Sequence, residues 1–143
     1  MKIFFTSKLN KKQLRELICE TAKKFGVKRT TFNKKAKNVR GTYNAFTGVL
    51  YLSLNQTKKD LLNAFFHELG HHFAVKNNRW KVYHFNLVPM MTIERMFKIE
   101  NRIDRTAKKL WNKYVDLNQW GKYNFAYPKS KKNQIMNHII DTL

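Results

Sequence analysis

His67, Glu68 and His71 stand within one short run, His67-Glu68-Leu69-Gly70-His71. On an α-helix, positions four apart lie one turn apart on the same face. The two imidazoles can therefore point at one cation, each nitrogen about 2.0–2.1 Å from a Zn²⁺ ion. Glu68 projects beside them, where it can accept a proton from water that such a cation acidifies. Only 5 histidines occur in the chain, and this run uses two of them around a glutamate. Two histidines and a water leave a tetrahedral zinc one protein ligand short.

The downstream candidates for that ligand are Glu94, Glu100, Asp104, Asp116, Asp141, His84 and His138. Ile93, Met96, Glu100, Ile103, Ala107, Leu110 and Tyr114 follow an alternating three-and-four spacing, the buried stripe of a helix. A carboxylate on a core-facing stripe is costly unless it meets a cation. Glu100 is therefore the expected third ligand. Asp104, one turn farther on a neighbouring face, can hydrogen-bond the second nitrogen of a ligand histidine. His84, within the aromatic stretch Trp80-Lys81-Val82-Tyr83-His84-Phe85, is the alternative third ligand. His72 points about 100° away from His71 around a helix and reads as a surface or packing residue. His138 reads as a member of a C-terminal helix.

These side chains need elements to hold them. Helical periodicity predicts a first helix from Asn10 to Phe25, stopped by Gly26, after a short strand at Ile3-Phe4-Phe5. From Val39 to Leu54 the pattern turns β-rich, with Gly41 to Gly48 as strand end and turn and Val49 to Leu54 as a strand. That predicts a hairpin. Thr57 followed by Asp60 resembles a capping box and opens a helix from Lys58 to Lys76. An irregular stretch to Pro89, a long helix from Thr92 to Leu117 and a short last helix carrying Ile135, Met136, Ile139, Ile140 and Leu143 complete the chain. The expectation is one α+β domain over residues 1–143: N-terminal helix, short antiparallel sheet, histidine-bearing helix, long helix, short C-terminal helix.

Composition bounds the function. Apolar residues at 43% and aromatics at 14% exclude full-length disorder. One cysteine, Cys19, excludes an internal disulfide framework and suits a reducing, cytoplasmic compartment. No apolar run approaches a membrane span, and the N-terminal apolar group is too short for a secretory signal. Against 29 Lys+Arg stand 9 Asp+Glu, a formal charge of +20. That balance favours anionic partners such as nucleic acid. The cations are dispersed in small groups such as Lys23-Lys24 and Lys108-Lys109, and an AT-rich coding bias would also produce them.

The run at His67–His71 resembles the HExxH zinc metallopeptidases of gluzincin type, with the third ligand on a later helix. The similarity is nearest to small ImmA/IrrE-like peptidases and related metallopeptidases of phages and mobile elements. Arg40-Gly41-Thr42-Tyr43 with Gly48-Val49-Leu50-Tyr51-Leu52 is similar to their strand pair before the active-site helix, and Glu100 to Ala107 to their E-x-x-x-[DN]-x-x-A helix. The resemblance implies a zincin-like fold, zinc on His67, His71 and Glu100, Glu68 as general base and Asp104 behind a ligand. No helix-turn-helix accompanies it, and the family does not imply the high charge.

The expected activity is zinc-dependent hydrolysis of peptide bonds in a protein substrate, with the substrate strand pairing along the edge of Val49–Leu54. Tyr123, Tyr127 and His84 are candidate donors to the oxyanion. The alternatives are a basic nucleic-acid-associated protein, SprT-like in its charge, and a non-enzymatic or virion-associated protein that keeps zinc for stability.

Overall fold

The computed structural model describes residues 4–6, 8–33, 40–80, 84 and 92–125. Ile3, Val39, most of the irregular stretch to Pro89, Tyr127, His138 and the expected last helix lie outside them.

Helix α1, Lys11–Lys24, starts where Asn10 Oδ1 accepts from Gln13 N at 2.8 Å while the Gln13 side chain accepts from Asn10 N at 3.0 Å. This reciprocal cap satisfies two otherwise unpaired amides. Leu14, Ile18, Thr21 and Ala22 form its buried face, and Gly26 leaves the helix at φ 86°, a conformation that costs glycine nothing. Strands β1, Arg29–Asn33, β2, Gly41–Asn44, and β3, Val49–Ser53, form a sheet in the order β1-β3-β2. The expected hairpin is the antiparallel β2–β3 pair, with Gly41 opposite Leu52 and Asn44 opposite Val49. β1 is an addition: it runs parallel to β3, with Arg29 opposite Val49 and Asn33 opposite Ser53. Its sequence, Arg-Thr-Thr-Phe-Asn, has no residue buried, so no apolar alternation announced it.

The order of strands overturns one expectation. β3 is the central strand, hydrogen-bonded on both sides, so it has no edge to offer a substrate. Its residues Val49, Leu50, Leu52 and Ser53 are buried and only Tyr51 is exposed, the pattern of an interior strand.

Helix α2, Lys58–Lys76, is capped by Thr57, whose Oγ1 accepts from Asp60 N at 3.1 Å. Asp60 itself turns to Arg40, 3.1 Å away. Every residue from Leu61 to His72 is buried, because α1, β2, β3 and a second long helix all pack on α2. That helix, α3, spans Ile93–Tyr114 and is shorter than expected. Val115 is extended and bridges Phe5, where the N-terminal strand was expected. Asp116 then caps the short helix α4, Leu117–Trp120. The buried stripe of α3 is Met96, Ile99, Glu100, Ile103, Ala107 and Trp111. Leu110 and Tyr114, expected on it, are half-buried; Trp111 takes the interior instead, its Nε1 donating to Gly121 O at 2.9 Å. The molecule is thus an α+β fold with α2 at its centre. No helix among the described residues is long and apolar enough to cross a membrane.

Candidate metal centre

α2 carries His67, Glu68 and His71 into the interior, with 0%, 0% and 4% exposure, and α3 brings Glu100 to them at 1%. The helices come this close because Gly70 faces α3. A Cβ there would stand 3.0 Å from Ile103 O and 3.1 Å from Ile103 Cγ2. A second glycine serves the other side: a Cβ on Gly41 would meet Tyr51 O at 2.9 Å and Glu68 Cγ at 3.2 Å. β2 therefore runs directly against the general-base candidate.

His71 Nε2 lies 3.0 Å from Glu100 Oε1, and His67 Nε2 lies 3.5 Å from Glu100 Oε2. His67, Glu68 and His71 also bring one ligand atom each within 4.8 Å of one another. A tetrahedral zinc with bonds of about 2.0–2.1 Å separates its donor atoms by roughly 3.3 Å. The observed separations bracket that value. Two imidazoles and a carboxylate also suit a catalytic zinc in kind, leaving one position for solvent.

The outer edges of both rings are held. His67 Nδ1 donates to Asp104 Oδ1 at 2.8 Å, and Tyr123 donates to the same oxygen at 2.7 Å. A carboxylate only accepts, so Nδ1 carries a proton toward Asp104 and Nε2 is the nitrogen that faces Glu100. Phe125 stacks on the His67 ring at 4.0 Å and 5°. Burial lowers the His67 pKa, but hydrogen bonds to Asp104 and Glu100 and the charges of Glu100 and Glu68 outweigh it, and the net result is well above the usual histidine range. The pocket is built to hold positive charge at this point.

His71 Nδ1 meets His84 Nε2 at 2.9 Å. The approach is on the edge of the His71 ring away from Glu100. Burial, with the His71 charge next, depresses the His84 pKa to about 4, so His84 is neutral near pH 7. Tyr123, considered for an oxyanion, has its hydroxyl on Asp104, behind His67; burial and the Asp104 charge push its pKa well above the usual phenol.

His72 packs rather than ligates. Its Nε2–H donates to Phe25 O at 2.8 Å, which leaves Nδ1 to accept from the Tyr43 hydroxyl at 2.9 Å. Burial lowers its pKa, as a neutral tautomer with both nitrogens engaged requires.

Sequence reasoning missed Asn63 and Phe125. Asn63, one turn before His67, accepts Asn124 N at 2.7 Å and so pins the segment that carries Tyr123 and Phe125. A lone amide inside Leu61-Leu62-Asn63-Ala64-Phe65-Phe66 was its available signal. Phe125 had none, since its position depends on where the chain returns after α4. No family model, curated protein or solved structure matches the chain.

Proposed function

We propose that the protein is a zinc-dependent endopeptidase. The observation that carries the reading is the convergence of His67 Nε2 and His71 Nε2 on one Glu100 carboxylate, at 3.5 and 3.0 Å, with Glu68 buried in the same turn of α2. Zinc held by His67, His71 and Glu100 would supply a Lewis acid that polarises the scissile carbonyl and acidifies water. Glu68 takes the proton of the attacking water and returns it to the leaving amine. Asp104 and Tyr123 hold the His67 ring, and Phe125 covers its face. With Tyr123 engaged on Asp104, Tyr127, outside the described residues, is the remaining tyrosine candidate for the oxyanion. An extended substrate would pair with the outer edge of β2, which has no strand partner there among the described residues and runs against Glu68.

Replacing Glu68 by Gln keeps the ligand set and removes the base. The variant should retain stoichiometric zinc while cleavage of a peptide library falls about 10²- to 10⁴-fold. Unchanged turnover refutes the mechanism. A wild-type chain that cleaves nothing yet unfolds on chelation points to the purely structural zinc site.

A second reading draws on α3. Arg95, Lys98, Arg102, Arg105, Lys109 and Lys113 lie at three- and four-residue spacing, all exposed, and none forms an ion pair among the described residues. Of the acids on this helix, Glu100 is buried and Asp104 faces His67, which leaves Glu94 as the exposed one. Arg105 and Lys108 also line a concavity of about 240 Å³ with Asp104, Tyr123 and Phe125, beside the candidate centre. Such a ridge suits the phosphates of a nucleic acid, and a peptidase acting on nucleoprotein would use both features.

A further inference from the structure

We infer that His84 is a positioning residue for the metal centre: its Nε2 accepts a hydrogen bond from His71 Nδ1 and so presents His71 Nε2 to the metal. It is not itself a ligand. The inference rests on the proposed metal site and deepens it.

One chain of hydrogen bonds links Trp80, His84 and His71. The Trp80 carbonyl accepts from the His84 backbone N–H at 3.0 Å and faces His84 Nδ1 at 3.1 Å. A carbonyl cannot donate, so Nδ1 carries the His84 proton and Nε2 carries the lone pair. That lone pair meets His71 Nδ1 at 2.9 Å, so His71 Nδ1 carries a proton. His71 Nε2 is then the nitrogen turned to Glu100, 3.0 Å away; that carboxylate only accepts, so a metal bound there would take the place of the Nε2 proton while the Nδ1 proton stays on the bond to His84. Each link admits one direction of donation. A backbone carbonyl two residues removed from the centre in this chain of bonds thereby selects the tautomer that can bind a metal.

The same geometry argues against ligation. A metal between His71 Nε2 and Glu100 lies at one edge of the His71 ring, and His84 occupies the other edge. To become a ligand His84 would have to leave both Trp80 O and His71 Nδ1. Trp80 is itself held at φ 51°, following Asn78 at φ 56°. These are left-handed conformations that residues other than glycine seldom adopt. The Arg79 guanidinium lies 5.6 Å over the Trp80 ring, and Arg79 N donates to Ala74 O at 2.8 Å. This turn brings the Trp80 carbonyl back toward the centre immediately after α2 ends.

His67 is supported by a carboxylate and His71 by a neutral imidazole. The difference has an electrostatic reason. Glu68 and Glu100 already place two buried carboxyl groups around the centre, and another buried anion behind His71 would carry a further desolvation cost. An imidazole orients the ring without adding charge.

The test uses the full-length chain with Zn²⁺ for affinity, by chelator competition, and Co²⁺ for the absorption spectrum that reports its ligands. Three variants are compared with wild type: His84→Leu, which removes the acceptor; His84→Gln, which restores one through its amide oxygen; and Glu100→Gln, a ligand change. His84→Leu should keep the wild-type cobalt spectrum and one metal per chain while zinc affinity falls about 10- to 100-fold. His84→Gln should recover most of that loss, and Glu100→Gln should alter the spectrum. A cobalt spectrum changed in both His84 variants makes His84 a ligand and overturns the inference. Zinc affinity unchanged in His84→Leu overturns it too, as does a folded His84→Gln protein no tighter than His84→Leu. If His84→Leu fails to fold, the inference stands or falls on whether His84→Gln keeps the wild-type spectrum with affinity within tenfold of wild type. A wild-type chain that takes up neither ion overturns the metal site itself.

Discussion

Two neighbouring histidines on α2 have opposite duties because a helix turns them about 100° apart. His71 faces Glu100 and His84; His72 faces Tyr43 and the carbonyl of Phe25. Replacing His72 by Phe keeps the ring volume but deprives the Tyr43 hydroxyl and the Phe25 carbonyl of their partner. Stability to urea should fall by about 2 kcal/mol, since each buried polar group left unpaired costs about 1–3 kcal/mol. Metal stoichiometry should not change. Asp104 gives the converse result. Asp104→Ala removes the acceptor shared by His67 and Tyr123, so zinc affinity should drop about 10- to 100-fold in a competition titration. Tyr123→Phe should cost less, because the carboxylate still holds the ring. Equal losses in the two variants would show that the carboxylate orients His67 only when the Tyr123 hydroxyl holds it.

Elements meet here by the absence of side chains as much as by their presence. Gly70 sits between His67 and His71 on α2, where the backbone of α3 passes. Gly70→Ala would place a methyl group 3.0 Å from Ile103 O, and a helix backbone cannot yield as a flexible side chain can. We expect a loss of about 1–3 kcal/mol in denaturant unfolding. The same change should reduce zinc uptake, because Glu100 rides on the displaced helix one turn from Ile103. A variant that is destabilised but binds zinc as tightly as wild type would show that α3 tolerates the shift. Among the strands, the parallel pairing of β1 with β3 turns Val49–Ser53 into an interior strand and transfers the candidate substrate edge to β2.

At the scale of the molecule, a charge of +20 surrounds a core that buries two carboxylates and two imidazoles at one point. Ionisable groups gathered in a core cost stability unless a cation compensates them. Chelation should therefore lower the thermal midpoint of the wild-type chain. Zinc held at a thousandfold its dissociation constant contributes about 4 kcal/mol. A midpoint indifferent to chelators would contradict a resident metal. The ridge on α3 is tested by matched subtractions of charge: Lys98, Arg102 and Arg105 to Ser, against Lys12, Lys23 and Lys28 to Ser as a control. If the ridge binds DNA, the first set should flatten the dependence of log affinity on log salt by about 2–3, and the control should leave it nearly unchanged. Equal losses would mean that total charge, not the ridge, governs binding.

Local order along the chain determined the three long helices, the β2–β3 hairpin and the pairing of His67 with His71, because each depends on residues a few positions apart; the short helix α4 was not among the expected elements. The 3.6-residue period alone places both imidazoles on one face, and the apolar spacing of α3 singled out Glu100 as an acid on an interior stripe. Contacts between distant segments followed other rules. β1 lies beside β3 although its residues alternate too weakly to announce a strand, and Trp111 displaced Leu110 and Tyr114 from the interior of α3. Asn63 reaches the backbone of Asn124, and His84 meets the outer nitrogen of His71. None of these is encoded in the spacing of the residues that make it. They exist because packing around α2 brings segments far apart in the chain to one place, and only the folded backbone decides which edge of a ring a distant side chain can reach.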